Sequence, residues 1–331
     1  MGDVAMTVPV VRALVQQNPD VKVTVVSRPF FKPFFDGIER VTFFGADVQK
    51  RHKGFWGIYR LFRDLQKYQI DVVADLHNVL RSKILRTFFK LSGTKTAFTD
   101  KGRAEKKALT RAENKILQPV KPMVQRHVET LQNLGFSVDL SQPVFPEKEA
   151  LPAEILKVTQ PKADKKWIGI APFAQYQTKV YPMDLMKQVL AKLAENPLYE
   201  LFLFGGKNEL PLLNDLKQNL ANVQVIPETL NFKQELQLIP HLDAMLSMDS
   251  GNAHIAAMYG VPVVSLWGHT HPFAGFVPFH QPLENSLVPD LERYPLLPTS
   301  VYGNKTVAGY EDVMRTIAPE KVVEKIDELT R

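Results

Sequence analysis

Cysteine is absent from all 331 residues. Its absence excludes disulfides, thiolate metal ligands and a cysteine nucleophile, and it suits a reducing compartment better than a secretory one. Long apolar runs are missing as well. No stretch reaches about 18 residues, the length of a membrane-crossing helix, and no basic-then-apolar leader opens the chain, so a cytoplasmic protein is expected. The sequence contains no Asp-x-Asp pair, no repeat of fixed period and no low-complexity tract. What remains is ordinary globular material, 45% hydrophobic and 23% charged. At this length two domains of roughly 150 residues each are expected, with a cleft between two lobes.

Charge is divided unevenly. Residues 1–140 hold 24 Lys and Arg against 13 Asp and Glu, whereas residues 141–331 hold 17 against 22. An excess of this size in one half points to an anionic partner, or to no more than a solvated basic surface. Nucleic acid is not expected, because Arg28, Lys50, Arg51, Lys53, Arg81, Lys83, Arg86, Lys106 and Lys107 are scattered and follow no binding motif.

Hydrophobic periodicity in the first half predicts helices at Thr7–Gln17, Phe55–Gln69, Val79–Leu91 and Val124–Leu134, with strands at Val21–Val26, Val41–Phe44, Asp71–Ala74 and Thr94–Phe98. Residues 142–166 carry Pro143, Pro146, Pro152 and Pro161 and read as a linker. The rhythm then restarts. Strands are expected at Trp167–Ala171, Leu201–Phe204, Val223–Val225, Ala244–Met248 and Val263–Trp267, with helices at Pro182–Glu195, Glu209–Leu220, Phe232–His241 and Asn252–Tyr259. Alternation of this kind gives an α/β protein with two helix-covered parallel sheets, whose ligands bind in loops at the carboxyl ends of the strands.

The most informative of those loops is Asp249-Ser250-Gly251-Asn252-Ala253-His254. An apolar run precedes it, and a helix closed by Gly260 and a second apolar run follow, which makes a β-α-β unit. Unpaired N–H groups and the positive end of the helix dipole suit its turn to a phosphate. Taken alone, the same turn reads as an ordinary N-cap.

Several segments together resemble glycosyltransferase family 9, the heptosyltransferase-like enzymes. They are Gly2-Asp3-Val4 leading through Pro9 to Leu14, Asp75-Leu76-His77-Asn78-Val79-Leu80-Arg81-Ser82, Lys179-Val180-Tyr181-Pro182, Phe204 to Glu209, the Asp249–His254 turn, and Trp267-Gly268-His269-Thr270-His271-Pro272. The resemblance covers essentially the whole chain. It implies two facing Rossmann-like domains in the GT-B arrangement. The acceptor-side domain is expected at residues 1–141, the linker at 142–166 and the nucleotide-sugar-binding domain at 167–310. A C-terminal helix in 311–331 is expected to pack back on the first domain.

The resemblance also implies roles. Asp3 matches the catalytic base of an inverting transfer. By itself it reads as the cap of the helix beginning near Thr7. Lys179 matches the residue holding the donor phosphates, a task that suits an ammonium point charge. Glu209 matches an acidic residue on the donor ribose hydroxyls, and Asp249 one facing the donor sugar. Ser250 and Gly251 would present backbone N–H groups to phosphate. His254 either orients Asp249, touches phosphate or is structural. Asp75, His77, Asn78 and Arg81 fall where the family contacts its acceptor, with Arg81 able to grip an anion bidentately or simply face water. Phe55 and Trp56 either enter the core, stack on a sugar or meet a membrane.

The implied donor is a nucleotide diphosphate sugar, with ADP-heptose as the candidate, and the implied acceptor is an anionic glycolipid such as lipopolysaccharide core. Neither metal nor cofactor is expected. Two other functions share the architecture: an inactive nucleotide-sugar-binding protein and a sugar-nucleotide epimerase. The chain departs from the family pattern in three places, one of them the loop Ala171–Gln177, which lacks the hydroxyl-rich pattern of some relatives and so leaves the nucleotide base open. Family members carry a strand just before the Gly-Asp turn, so the first, central strand is expected to be missing here, with exposed ladder edges and the terminal ammonium close to Asp3. His271 stands where heptosyltransferases often show Asp, which bears on sugar specificity.

Overall fold

The computed structural model describes residues 1–331, which divide into two compact units. The first comprises Met1, Asp3–Arg103 and Lys121–Val144. The second comprises Gly2, Ala104–Val120 and Phe145–Arg331. In chain order the first half runs α1 (Gly2–Ala5), α2 (Val8–Gln17), β1 (Val23–Ser27), β2 (Val41–Gly45), α3 (Gly54–Leu65), β3 (Val72–Asp75), α4 (Leu80–Leu91), β4 (Lys95–Phe98), α5 (Arg103–Thr110) and α6 (Met123–Gln132). The remainder runs α7 (Ala153–Thr159), β5 (Lys166–Ala171), α8 (Met183–Ala194), β6 (Tyr199–Leu203), α9 (Leu210–Lys217), β7 (Val223–Val225), α10 (Phe232–Leu238), β8 (Ala244–Met248), α11 (Gly251–Met258), β9 (Val263–Leu266), β10 (Ser286–Leu287) and α12 (Pro319–Thr330).

In the first unit the strands pair in parallel but in two separate ribbons, β1 with β2 and β3 with β4. No backbone ladder joins the ribbons, and most of their residues are only half-buried. A small core under β2, α3 and α4 is built from Ala46, Leu61, Phe62, Leu65 and Phe89.

The second unit holds one six-stranded, wholly parallel sheet in the order β10-β9-β8-β5-β6-β7. Its central strands are near-continuous apolar runs because helices cover both faces. All of β8 and β9 is buried, and so is β5 after Lys166. From β5 the chain winds outward through β6 and β7, then returns to place β8 on the other side of β5. The order therefore reverses between β5 and β8, where Ala171 lies opposite Ser247. Such a switch point opens a crevice beyond the strand ends.

Three segments depart from the expected organisation. Residues 104–120, expected within the first domain, belong to the second unit. Leu109 is fully buried there, the Lys115 ammonium donates to the carbonyls of Leu296 and Pro298 at 2.8 Å each, and the Val120 N–H donates to the Phe273 carbonyl at 2.9 Å. The expected linker contains α7, whose Ile155 is buried. The expected return of the last helix to the first domain gives way to packing of α12 against α8. Its Val322 and Ile326 complete the core of the second unit, because that is where its one apolar stripe finds cover.

Candidate active site

The switch point brings together two of the residues singled out in the sequence. Lys179 ends a single 3-10 turn after β5, and Asp249 follows β8 directly. The Lys179 Nζ lies 3.1 Å from the Asp249 Oδ2, with side chains only 12% and 10% exposed. In a crevice with little water each charge compensates the other. Thr270, in the loop after β9, donates its hydroxyl to the same Oδ2 at 2.8 Å. The loops after β5, β8 and β9 thus converge on one carboxylate.

Their packing is tight. The His269 N–H donates to the Thr178 carbonyl at 3.1 Å. A Cβ on Gly268 would lie 2.1 Å from that same oxygen, so only glycine allows the two loops to touch. Behind Lys179, the Thr178 hydroxyl donates to the Gly303 carbonyl, and a Cβ on Gly303 would lie 2.6 Å from the Lys179 Cγ.

Beside this pair stands the amino end of α11. Ser250 occupies the N-cap position in extended conformation, yet its side chain makes no capping hydrogen bond; its hydroxyl meets that of Ser247 at 3.1 Å. The N-cap reading of this turn therefore holds for backbone position but not for the side chain. No side chain caps the first turn of α11, whose leading N–H groups have no partner within the helix. His254, one turn further on, is buried. Glu209 follows the neighbouring strand β6, and its Oε2 accepts the Gly206 N–H at 2.6 Å. That bond folds the loop back on itself and fixes the direction of the carboxylate.

His271 is buried in the loop after β9, with its Nδ1 accepting the Phe273 N–H at 3.2 Å. Burial, helped by the nearby Lys115 ammonium, lowers its pKa to about 4. At neutral pH it is an uncharged imidazole.

The first unit gathers the others. Asp75 ends β3 with its carboxylate buried and engaged: Oδ1 accepts the Asn78 N–H at 2.7 Å, and Oδ2 faces the Arg86 Nη1 at 3.1 Å. Asn78 adopts a left-handed φ of 46° and donates its amide to the Thr99 carbonyl at 2.9 Å. Asp75 therefore shapes the loop that presents His77 and Arg81. Asp3 lies in the first turn of α1, exposed, with its Oδ2 4.0 Å from the His77 Nε2. It does not cap α2. The residue ahead of that helix is Thr7, whose hydroxyl bonds to the Val4 carbonyl. Partial burial and the cations of Lys101 and Arg81 lower the pKa of His77, while Asp3 and Asp75 oppose that shift. Lys101, whose pKa burial also lowers, brings a further cation to Asp3. No three His, Asp or Glu side chains are grouped as a metal ion would need.

Sequence reasoning missed Thr270, Thr178, Gly303 and Lys101. Thr270 lies in the Trp267–Pro272 segment that carries the resemblance, but no role was assigned to it, and nothing in the local pattern set Thr178 apart from its neighbours. Lys101 follows β4, also a strand end.

With this geometry in place, the comparisons decide the family. The model of glycosyltransferase family 9 (heptosyltransferase) matches residues 58–295. The chain belongs to this family. It is a glycosyltransferase, with two Rossmann-like units of the GT-B class. It is 27% identical to lipooligosaccharide heptosyltransferase 2 of Haemophilus influenzae, over 99% of this chain and 96% of that protein. Among solved structures, the family 9 glycosyl transferase of Veillonella parvula is similar with a TM-score of 0.75 at 16% identity, covering 99% of this chain and 94% of the other. The ADP-heptose lipopolysaccharide heptosyltransferase II of Escherichia coli is similar with a TM-score of 0.68 at 18% identity, covering 99% and 95%.

Proposed function

We propose that this glycosyltransferase moves a heptose from ADP-heptose to an anionic, lipid-linked glycan of the lipopolysaccharide-core type, by single displacement with inversion. It would act in the cytoplasm, at the inner membrane face. The observation that carries this reading is the Lys179–Asp249 pair beside the uncapped amino end of α11. An ammonium and open backbone donors together suit a departing diphosphate, where negative charge grows as the glycosidic bond breaks.

In this reading the acceptor hydroxyl oxygen attacks the anomeric carbon while the carbon–oxygen bond to the diphosphate breaks. The Asp3 carboxylate takes the hydroxyl proton. Lys179 and the N–H groups of Ser250 and Gly251 take the charge of the leaving nucleoside diphosphate. Asp249 orients Lys179 and accepts donor sugar hydroxyls, while the second oxygen of Glu209 accepts from the ribose diol. His254 supports the phosphate turn. Asp75 and Asn78 shape the acceptor loop, and His77 and Arg81 bind the acceptor from it.

A panel of ADP-, GDP-, UDP- and dTDP-sugars in thermal-shift assays tests the donor assignment, since a ligand selective for the folded state raises its melting temperature. ADP-heptose is expected to give the largest shift. Product formation from donor alone would instead identify an epimerase, and tight donor binding without transfer an inactive binding protein.

A further inference from the structure

On the first unit α3 and α4 pack side by side and leave an aromatic ridge in solvent. Phe55 meets Trp56 at 5.6 Å between ring centroids and Phe88 at 5.6 Å, while Tyr59 meets Phe88 at 5.5 Å and Trp56 at 6.5 Å. Packing among the rings does not hide them: Trp56 remains 71% exposed and Phe55 54%. Leu80 and Leu91, at the two ends of α4, are 76% and 79% exposed. Spacings of four, four and three residues place Leu80, Ile84, Phe88 and Leu91 along one stripe of that helix. An exposed apolar surface of this extent marks a contact with something apolar.

Charge identifies the occupant. Residues 50–67 and 80–91 carry ten Lys and Arg and a single acid, Asp64; Arg51 is paired with Asp64 at 2.8 Å and Arg86 with Asp75 at 3.1 Å, which leaves a clear excess of cations. Aromatic rings flanked by cations match the boundary of an anionic bilayer, where rings settle at headgroup depth and ammonium and guanidinium groups meet lipid phosphates. A protein partner fits less well, because five of the ten cations are lysines, which are depleted from protein–protein interfaces. We propose that the α3–α4 face, with Phe55, Trp56 and Tyr59 at its centre and Arg60, Arg63 and Lys90 around it, docks this enzyme on an anionic lipid surface. The proposal deepens the lipid-linked acceptor reading above. It is tested without donor or acceptor, so that either can fail alone.

The molecule carries its own reporter. Of its three tryptophans, Trp167 and Trp267 are fully buried, and Trp56 is the exposed one. The whole protein is titrated with vesicles of phosphatidylglycerol and phosphatidylethanolamine, and separately with phosphatidylcholine vesicles, following emission and co-sedimentation. A blue shift and sedimentation with the anionic vesicles alone, reversed by salt, is expected. Trp56→Ser with Phe55→Ser should abolish sedimentation, and Arg60→Gln with Arg63→Gln should weaken it by on the order of tenfold, both without altering donor binding. Three results would overturn the proposal: no emission change with anionic vesicles, equal binding to neutral vesicles, or an emission shift that follows protein concentration without lipid, which would make the ridge a contact between copies. The emission test on the unaltered protein decides the matter even where a variant folds poorly.

Discussion

The ammonium of Lys179 and the carboxylate of Asp249 stand 3.1 Å apart although 70 residues separate them in the chain. Their meeting follows from the order of the sheet. β5 and β8 are neighbours at the switch point, so the loops leaving their carboxyl ends share one crevice.

Because the pair is nearly buried, its members should not behave independently. Lys179→Ala is expected to weaken donor binding by on the order of 10- to 100-fold, as for a lost charge-assisted hydrogen bond. Asp249→Ala leaves the ammonium without its counter-charge and should lower stability by about 1–3 kcal/mol as well. The double variant should bind donor no worse than the weaker single one. Calorimetric titration of all four proteins checks this, and strict additivity would show that the two groups act separately.

Gly303 tests the backing of Lys179 from outside the site. Its φ is +84°, and an added Cβ would fall 2.6 Å from Cγ and 2.7 Å from Cδ of the lysine. Gly303→Ala should therefore displace the ammonium and weaken donor affinity severalfold, at a stability cost of about 1 kcal/mol or more. Unchanged donor affinity in calorimetry would mean that Lys179 has room to move.

Asp3→Ala separates chemistry from binding. With the base gone, turnover should fall by on the order of 10²- to 10⁴-fold, while donor affinity stays near that of the unaltered enzyme. Initial-rate kinetics alongside donor titration gives both numbers, and retained turnover would remove Asp3 from the mechanism.

The buried imidazole of His271 makes stability depend on pH. Its pKa is lowered to about 4 from an ordinary 6.5, so the unfolded chain takes up this proton first. Stability from this residue is fully present above about pH 6.5 and is lost as pH falls toward 4, by at most about 3 kcal/mol. His271→Gln should flatten the curve of melting temperature against pH across that window. A parallel curve would assign the acid sensitivity elsewhere.

The two units should differ in local stability. Strands β1 to β4 form two-stranded ribbons with half-buried residues, whereas β5, β8 and β9 are buried within six strands. Two-stranded ribbons are marginal on their own. Amide hydrogen exchange should release β1–β4 well before β5 and β8. Uniform protection across both units would contradict this.

Much of the architecture was legible because it is local. Val223–Val225 and Ala244–Met248 are strands over the very residues that their apolar patterns mark, and α2, α4, α8 and α11 begin and end within a residue or so of their expected limits. Short range also explains the errors. The stripe of α12 announces a helix without naming its partner, and the run from Ala104 to Val120 gives no sign that Leu109 is buried in the second unit or that Lys115 bonds to Leu296 and Pro298 there. At the site, Asp3, the Asp249 loop and Lys179 could be marked through the family resemblance. The bond of Thr270 to Asp249 could not be read from its segment, and Asp75 could not be seen to serve Asn78 and Arg86.

By itself, then, the sequence determined the alternation of strands and helices and the chemistry stored at strand ends, because periodicity, caps and turn residues act over a few positions. Tertiary structure alone decided which loops meet, which unit each arm joins, and that Lys179, Asp249 and Thr270 share one carboxylate oxygen. Parallel strands are joined by long crossovers, and the order in which they then lie side by side is fixed by packing over the whole sheet.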